Sequence, residues 1–485
     1  MQLAELASLV QSASIRGDAA TAVRDATADS RAAGPGSLFF CVPGERSDGH
    51  DYAGDAVSRG ASALVVERPL AVDVAQLIVP SVRRAIGPLA AAVFGDPSRA
   101  MRVVGVTGTN GKTTSAFMLE RAFAALGGPT GLIGTVEVHV AGDVLPVEHT
   151  TPEAPELQRL LATMRDRGVG AVAMEVSSHG LTYGRVSGTR FACGLFTNLT
   201  RDHLDFHRTM ESYEAAKRVL FTDELAERGA VNADDPAGAR ILERPSIPLT
   251  SFGMSDGADV HAIDVTTTRA GSTFTAVAGG ERVPVAVRIT GRYNATNALG
   301  VLATFRAMDL PLAAAAEGIA TLEGVPGRME AIVGGQPFTV LVDYAHTPDS
   351  LANVLRAARE VSEGSLIVVF GCGGDRDRGK RPLMGQTAAE LADLAIVTSD
   401  NPRSEDPLAI IDEIVPGARE TGRPYEVEPD RRAAIRRAFE RARPGDVVVI
   451  AGKGHESGQR FADRVIPFDD RTVAREELAN LGAGR

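Results

Sequence analysis

The chain has 485 residues, 44% of them hydrophobic and 23% charged, which is enough for roughly two to four separate cores. Its net charge of −11 speaks against a nucleic-acid-binding surface. The N-terminus lacks a basic stretch followed by an apolar one, no apolar run is long enough to span a bilayer, and Cys41, Cys193 and Cys372 sit far apart in apolar surroundings. These features predict a cytoplasmic protein without membrane insertion or disulfides.

Of the 51 basic residues only Lys112, Lys217, Lys380 and Lys453 are lysine. Arginine replaces lysine at most solvated positions, but not where a compact ammonium or a deprotonatable amine is needed. The surviving lysines are therefore enriched for chemistry.

In chain order, "SLFFCVPG" and "ASALVVE" read as short strands around a helical stretch, and a Gly/Pro/Ser break at 95–99 marks a boundary. "MRVVGVTG" is an apolar strand that meets a glycine-rich turn and the helix "KTTSAFMLERAFAAL". Strands follow at "GVGAVAMEVS" and "FACGLFTNLT", with helices over 153–167 and 211–222. This alternation predicts a parallel sheet covered on both faces. Residues 258–290 read as an accessory sheet. From "GVPGRMEAI" onward a second doubly wound unit is predicted, with strands in "FTVLVDYAH", "SLIVVFGCGG", "LAIVTSD" and "DVVVIAGKGHE". Its strands end in the clusters Asp343 to His346, Gly373 to Lys380, Asp400 to Arg403 and Gly452 to Glu456. Ligands bind beyond the carboxyl ends of such strands, so these clusters are expected to converge on one cleft.

"VVGVTGTNGKTT" places Gly108, Thr109, Asn110, Gly111, Lys112, Thr113 and Thr114 between strand and helix. Such a loop cradles phosphates with its N–H groups, with Lys112 reaching the β- and γ-phosphates and the Thr113 hydroxyl ligating Mg²⁺. The spacing departs from the strict phosphate-loop form because residue 106 is Val. Glu175 ends a strand on the same sheet edge and is a natural hard ligand for Mg²⁺. His203, taken alone, reads more simply as a hydrogen-bonded structural residue, and Lys217 as a solvated side chain on a helix.

Taken together, "TGTNGKTT", "EVSSHGL", "FTNLTRDHLDFH", "YEAAK", "GRYNATNALG", "GRME", "DYAHTPDSL", "GCGGDRDRGKRPLM", "DNPRSEDP" and "AGKGHE" resemble, in order and over nearly the whole chain, the motifs of the Mur ligase family. That family makes peptide bonds on the peptidoglycan precursor using ATP. The motif set is most similar to that of the member adding the third residue to UDP-N-acetylmuramoyl-L-alanyl-D-glutamate. The resemblance implies three α/β domains. They are a UDP-substrate-binding domain over 1–98, a central P-loop ATPase-like domain built on a parallel sheet over 99–324, and a Rossmann-like domain for the incoming amino acid over 325–485. It implies that the D-glutamate carboxylate attacks the γ-phosphate to give an acyl phosphate, which the incoming amine then displaces.

The resemblance also implies roles for single residues. Thr109 to Thr114, Asn297, Arg328, Asp343 and His346 would serve ATP. Thr113, Glu175 and His203 would serve magnesium, with Lys217 carbamylated by CO₂ as a further ligand, since only a neutral amine attacks CO₂ and a guanidinium stays protonated. Ser30, Ser47 in the turn "GERSDG", Thr150, Thr151, Ser177 and Arg185 would hold the UDP-muramoyl dipeptide. Tyr183 stands where relatives often carry glutamine. Arg376, Asp400, Asn401, Pro402, Arg403, Gly452 and Glu456 would hold meso-diaminopimelate. Its distal carboxylate suits the planar fork of Arg403, and its distal ammonium suits Asp400 or Asn401. On its own, "DNPR" also reads as a turn with a helix cap. The rivals are an L-lysine-adding ligase, a folylpolyglutamate synthetase, and a nucleotide-binding module without ligase chemistry.

Overall fold

The computed structural model describes residues 1–483 apart from 45, 46, 148 and 269. The side chains of 482 and 483 are likewise outside the description. The described residues form three large sheets in succession along the chain. The first has the order Ser14–Arg16, Ala75–Ile78, Ala63–Val66, Ser37–Phe40, Asp25–Thr27. It is parallel except where Ser14–Arg16 pairs antiparallel at its edge.

The central sheet has eleven strands. At its heart Arg102–Thr107 lies between Ala171–Glu175 and Cys193–Phe196, all parallel. Val103, Val104 and Val106 are fully buried on alternating faces, because helices cover both. On one side Lys112–Ala124, Arg292–Ala307 and Leu312–Ala320 pack against Val104, Val106 and Leu195. On the other, Ala154–Asp166 and Pro236–Glu243 cover Val103, Val172 and Phe196. A parallel sheet requires this double cover.

The β-rich stretch near 258–290 is not a separate accessory sheet. Val260–Thr268 joins the parallel core at Phe252↔Val260, and Gly271–Ala278 and Glu281–Val287 extend the same sheet antiparallel. The alternation in these strands puts Phe274, Ala276, Val283 and Val285 on the helices at 292–307 and 312–320. One face is thus buried and the other wet.

The third sheet runs Glu330–Ala331, Thr339–Asp343, Val447–Ala451, Leu366–Phe370, Leu394–Val397, Tyr425–Val427. Its main strands are parallel, with Pro348–Val361, Arg381–Leu391 and Pro407–Glu420 on one face and Arg431–Arg441 and Asp470–Ala483 on the other. This is the doubly wound unit predicted from the sequence. The expected helix over 211–222 ends earlier: Met210–Arg218 is α-helical and Val219–Phe221 tightens into a 3₁₀ turn. Among the described residues no helix is long and apolar enough to cross a membrane.

One buried ion pair fixes the strand ends of the third sheet. Arg431 and Asp470 have no exposed side-chain surface and meet at 2.7 Å, while the guanidinium also donates to the Ala451 and Ser399 carbonyls. Those carbonyls lie just before Gly452 and Asp400. Removing one partner leaves a buried charge, which costs about 3–5 kcal/mol. Asp470→Ala should lower the denaturant midpoint accordingly. A midpoint within error of wild type would show that the pair carries no such load.

Candidate functional site

Beyond the carboxyl end of Arg102–Thr107 opens a cavity of about 640 Å³. The apolar strand delivers the chain to Gly108, whose φ of +154° and contact with Thr197 allow no side chain: a Cβ there would lie 1.9 Å from Thr197 Oγ1. Gly111, at φ +86°, starts the helix Lys112–Ala124 without a side-chain cap. The N–H groups of the first turn, which have no partners within a helix, are thereby left for an anion. Around them the loop is pinned. Asn198 accepts from the Thr109 and Asn110 amides at 2.9 Å each, and Thr197 Oγ1 donates to the Asn110 carbonyl at 2.6 Å.

Two lysines share one carbonyl. Lys112 Nζ donates to Gly108 O at 2.9 Å and to Thr109 O at 2.7 Å, and Lys217 Nζ donates to Gly108 O at 2.7 Å. Lys217 is 1% exposed, so the solvated-face reading is corrected. Tyr213 and Lys217, four residues apart, lie on the inward face of Met210–Arg218, with Nζ 4.5 Å from the ring centre. Burial, and then the charge of Lys112, hold the Lys217 amine well below its ordinary pKa. Desolvation of a lone ammonium is only partly offset by a single carbonyl, which favours the neutral amine.

The candidate metal ligands stand around the same space. Thr113 Oγ1 donates to Glu175 Oε2 at 3.1 Å, and Thr135 donates to the same carboxylate through its amide and its hydroxyl. His203 adopts φ +55° and faces Asp202 at 3.3 Å. Burial pulls its pKa down to about 3, which keeps the ring neutral. Asp202, which the sequence reading did not single out, is a hub: His346 lies 3.5 Å and Lys380 3.8 Å from it. From the third sheet Arg328 donates to Thr113 Oγ1 at 3.0 Å and lies over the Tyr344 ring. Asp349 accepts from Asn110 at 2.9 Å. Asp343 lines the cavity, yet its carboxylate is taken by the amides of Met329 and Ala345, both at 2.7 Å. Asn297 faces Gly111 and donates to Asn294.

Beside Glu175 the cavity is lined by Thr150, Thr151, Ser177, Tyr183 and Arg185. Ser177 caps the helix Ser178–Thr182, and its amide donates to Thr151 Oγ1 at 3.0 Å. Arg185 donates to the Thr151 carbonyl at 3.1 Å and pairs with Glu153 at 2.9 Å.

Three family descriptions match the chain in succession: Mur ligase family, catalytic domain, over 24–94; Mur ligase middle domain over 106–305; and Mur ligase, glutamate ligase domain, over 327–454. The UDP-N-acetylmuramoyl-L-alanyl-D-glutamate--2,6-diaminopimelate ligase of Geobacillus thermodenitrificans is 47% identical over 92% of this chain and 93% of its own. The chain belongs to the Mur ligase family. The ligase of the same name from Streptomyces avermitilis is 46% identical over 98% of this chain and 96% of its own. A solved structure of a ligase so named is 31% identical, with a TM-score of 0.69 over 99% of both chains. A MurF ligase from Thermotoga maritima in complex with ADP is 19% identical, with a TM-score of 0.65 over 95% of this chain and 97% of its own, and shares the fold.

Within this Mur ligase not every expected residue reaches the cavity. Of the four strand-end clusters, Asp343, His346 and Arg376 line it. Asp400 to Arg403, Gly452 and Glu456 gather beside it, where Arg403 donates to the Gly374 carbonyl at 2.7 Å. Backbone packing brings these strand ends together: a Cβ on Gly374 would lie 1.9 Å from Pro402 O, and one on Gly452 2.5 Å from Asp400 Oδ2. Arg376 lines the cavity, and its charge, after burial, helps hold Arg403 below its ordinary pKa. Ser30 lies in the first sheet's region, donating to Asp55 at 2.7 Å, and Ser47 is exposed. Neither lines the cavity. Residues 45 and 46 of the turn "GERSDG" lie outside the described residues.

Gly111→Ala tests the loop. At φ +86° the new Cβ would meet Asn297 Oδ1 at 2.5 Å, and about 1–3 kcal/mol of strain would displace the first-turn amides. Calorimetry should show ATP affinity falling by roughly tenfold or more with the thermal midpoint little changed. Unaltered affinity would mean that these amides do not hold the nucleotide.

Proposed function

We propose that this Mur ligase joins meso-diaminopimelate to the D-glutamate of UDP-N-acetylmuramoyl-L-alanyl-D-glutamate, with ATP as co-substrate, in the cytoplasm. The observation that carries this reading is one cavity lined by three separate stretches: the phosphate loop, the Thr150–Thr151–Ser177–Arg185 wall, and Arg376. A phosphate cradle, an anchored acceptor and an amino-acid side sharing one cavity would support this reading. We also keep the division into domains at 1–98, 99–324 and 325–485 as part of the proposal.

The loop amides and Lys112 would hold the phosphates, Asn297 and Arg328 the nucleotide, and Arg185 with Thr151 the muramoyl peptide. Ser30 and Ser47 would hold the uridine end, at a distance from the chemistry. The D-glutamate carboxylate attacks the γ-phosphorus, a P–O bond forms, and ADP leaves. The amine of the incoming residue then attacks the acyl carbon, loses a proton, and phosphate departs as the amide forms. Little covalent work falls to the protein, so positioning and charge neutralisation dominate.

The residues suit Mg²⁺ held chiefly by phosphate oxygens. Thr113 and Glu175 offer a hydroxyl and a carboxylate in contact, the hard oxygens this ion takes. Among the described residues no group of three His, Cys, Asp or Glu stands ready to cage an ion alone. Thr113, Glu175, neutral His203 and carbamylated Lys217 would hold the ion, which when bound neutralises phosphate charge. The buried, neutral Lys217 amine supports carbamylation, because only that form attacks CO₂.

An ATP-dependent ligation assay should show meso-diaminopimelate used well over L-lysine, since the half-buried guanidinium at Arg403 disfavours a ligand that leaves it without a carboxylate. Equal use of both would refute the assignment of the amino acid. Phosphate release that ignores the amine would favour a plain nucleotide-binding module. Lys217→Arg should nearly abolish ligation with an unchanged circular dichroism spectrum, and near-normal turnover would rule out the modified lysine.

A further inference from the structure

Lys453 is completely buried, in a chain that places almost all its positive charge on arginine. Its three N–H bonds meet three acceptors: Asn401 Oδ1 at 3.1 Å, Glu456 Oε2 at 3.0 Å and the Gly458 carbonyl at 2.7 Å. An ammonium has three donors on one atom and is thereby saturated, whereas a planar guanidinium cannot converge its donors on so small a space. The acceptors come from different places. Asn401 follows the strand Leu394–Val397, Glu456 follows Val447–Ala451, and Gly458 opens the hairpin strand Gly458–Arg460.

The contacts settle how the two polar side chains face. Asn401 Oδ1 accepts from Lys453 and from the Arg460 amide at 3.0 Å. Its Nδ2 is therefore turned to Glu456 Oε2, at 2.7 Å. Glu456 Oε2 receives both Lys453 and Asn401, and no hydrogen bond to Oε1 is made among the described residues. The hairpin gives the same anchorage to the neighbouring arginine: the Arg403 amide donates to the Arg460 carbonyl at 2.9 Å, and Arg403 sits at φ +54°. Such a left-handed residue persists only where its surroundings over-determine it.

We propose that Lys453 is a positioning residue for amino-acid specificity, fixing the Asn401 amide and turning Glu456 Oε1 toward the ammonium of the incoming diamino acid. It acts through these two side chains and does not touch the ligand. The inference rests on the diaminopimelate-ligase reading above.

The test is steady-state ligation by wild type and by Lys453→Met, which keeps the length of the side chain and removes its donors. Losing hydrogen bonds to a charged group corresponds to roughly 10- to 100-fold. The KM for meso-diaminopimelate should rise by that factor and its preference over L-lysine should shrink. The kcat at saturation, and the KM for ATP and for the UDP-dipeptide, should stay within about threefold. Lys453→Arg should not restore the KM. A fall in kcat with unchanged KM for the diamino acid would overturn the proposal, as would an unchanged preference. Should the Met variant fail to fold, a crystal structure of the wild type with meso-diaminopimelate decides. Nζ remaining on Asn401, Glu456 and Gly458 supports the proposal, and Nζ turned onto a ligand carboxylate sinks it. If the wild type itself does not use meso-diaminopimelate, the functional reading fails first, and the two failures are distinct.

Discussion

The carbonyl of Gly108 is the point on which the site depends. It follows the central strand Arg102–Thr107 and receives both Lys112 and Lys217. Two charged amines on one oxygen repel each other, and burial penalises both, so both are pushed toward the neutral form. The same geometry that pins the phosphate loop thereby makes a reactive amine out of a lysine. No arginine could take that part, because a guanidinium keeps its proton.

From this point the loop is tied to the third sheet. Arg328 reaches Thr113, Asp349 takes Asn110, and Asp202 faces His346 and Lys380. An additional pair, Arg201 with Asp377 at 3.1 Å, is partly exposed and adds little on its own. The buried contacts matter more, because each joins a group of the central domain to one from the C-terminal part of the chain.

Much of this was legible in the sequence, for identifiable reasons. The strand, glycine turn and helix around 102–124 announce themselves because an apolar run stops at residues that only a backbone cradle needs. The third sheet was readable because each buried strand is a short apolar run with polar residues at its end. The edge strands over 260–287 were visible as strands, but alternation says which face is buried, not which sheet is joined. Lys217 sits in "YEAAKR", a polar stretch whose Tyr213–Lys217 face turns inward only because the phosphate loop lies there. Asp202 gave no signal beside His203, since its partners His346 and Lys380 come from far along the chain. Scarcity of lysine pointed at Lys380 and Lys453, but could not say what they touch. The close packing of Asp400 to Arg403 on Gly374 and Gly452 joins strand ends far apart in the chain, which no local pattern reveals.

The account requires that Lys217 be an amine able to carry CO₂. The most direct measurement is a ¹³C NMR spectrum of the protein equilibrated with ¹³C-bicarbonate, with Mg²⁺ and ATP present, beside the same spectrum of Lys217→Arg. A carbamate resonance in the wild type that is missing from the variant is the predicted result. Its absence from both, or its presence in both, would contradict the role given to the buried lysine at Gly108.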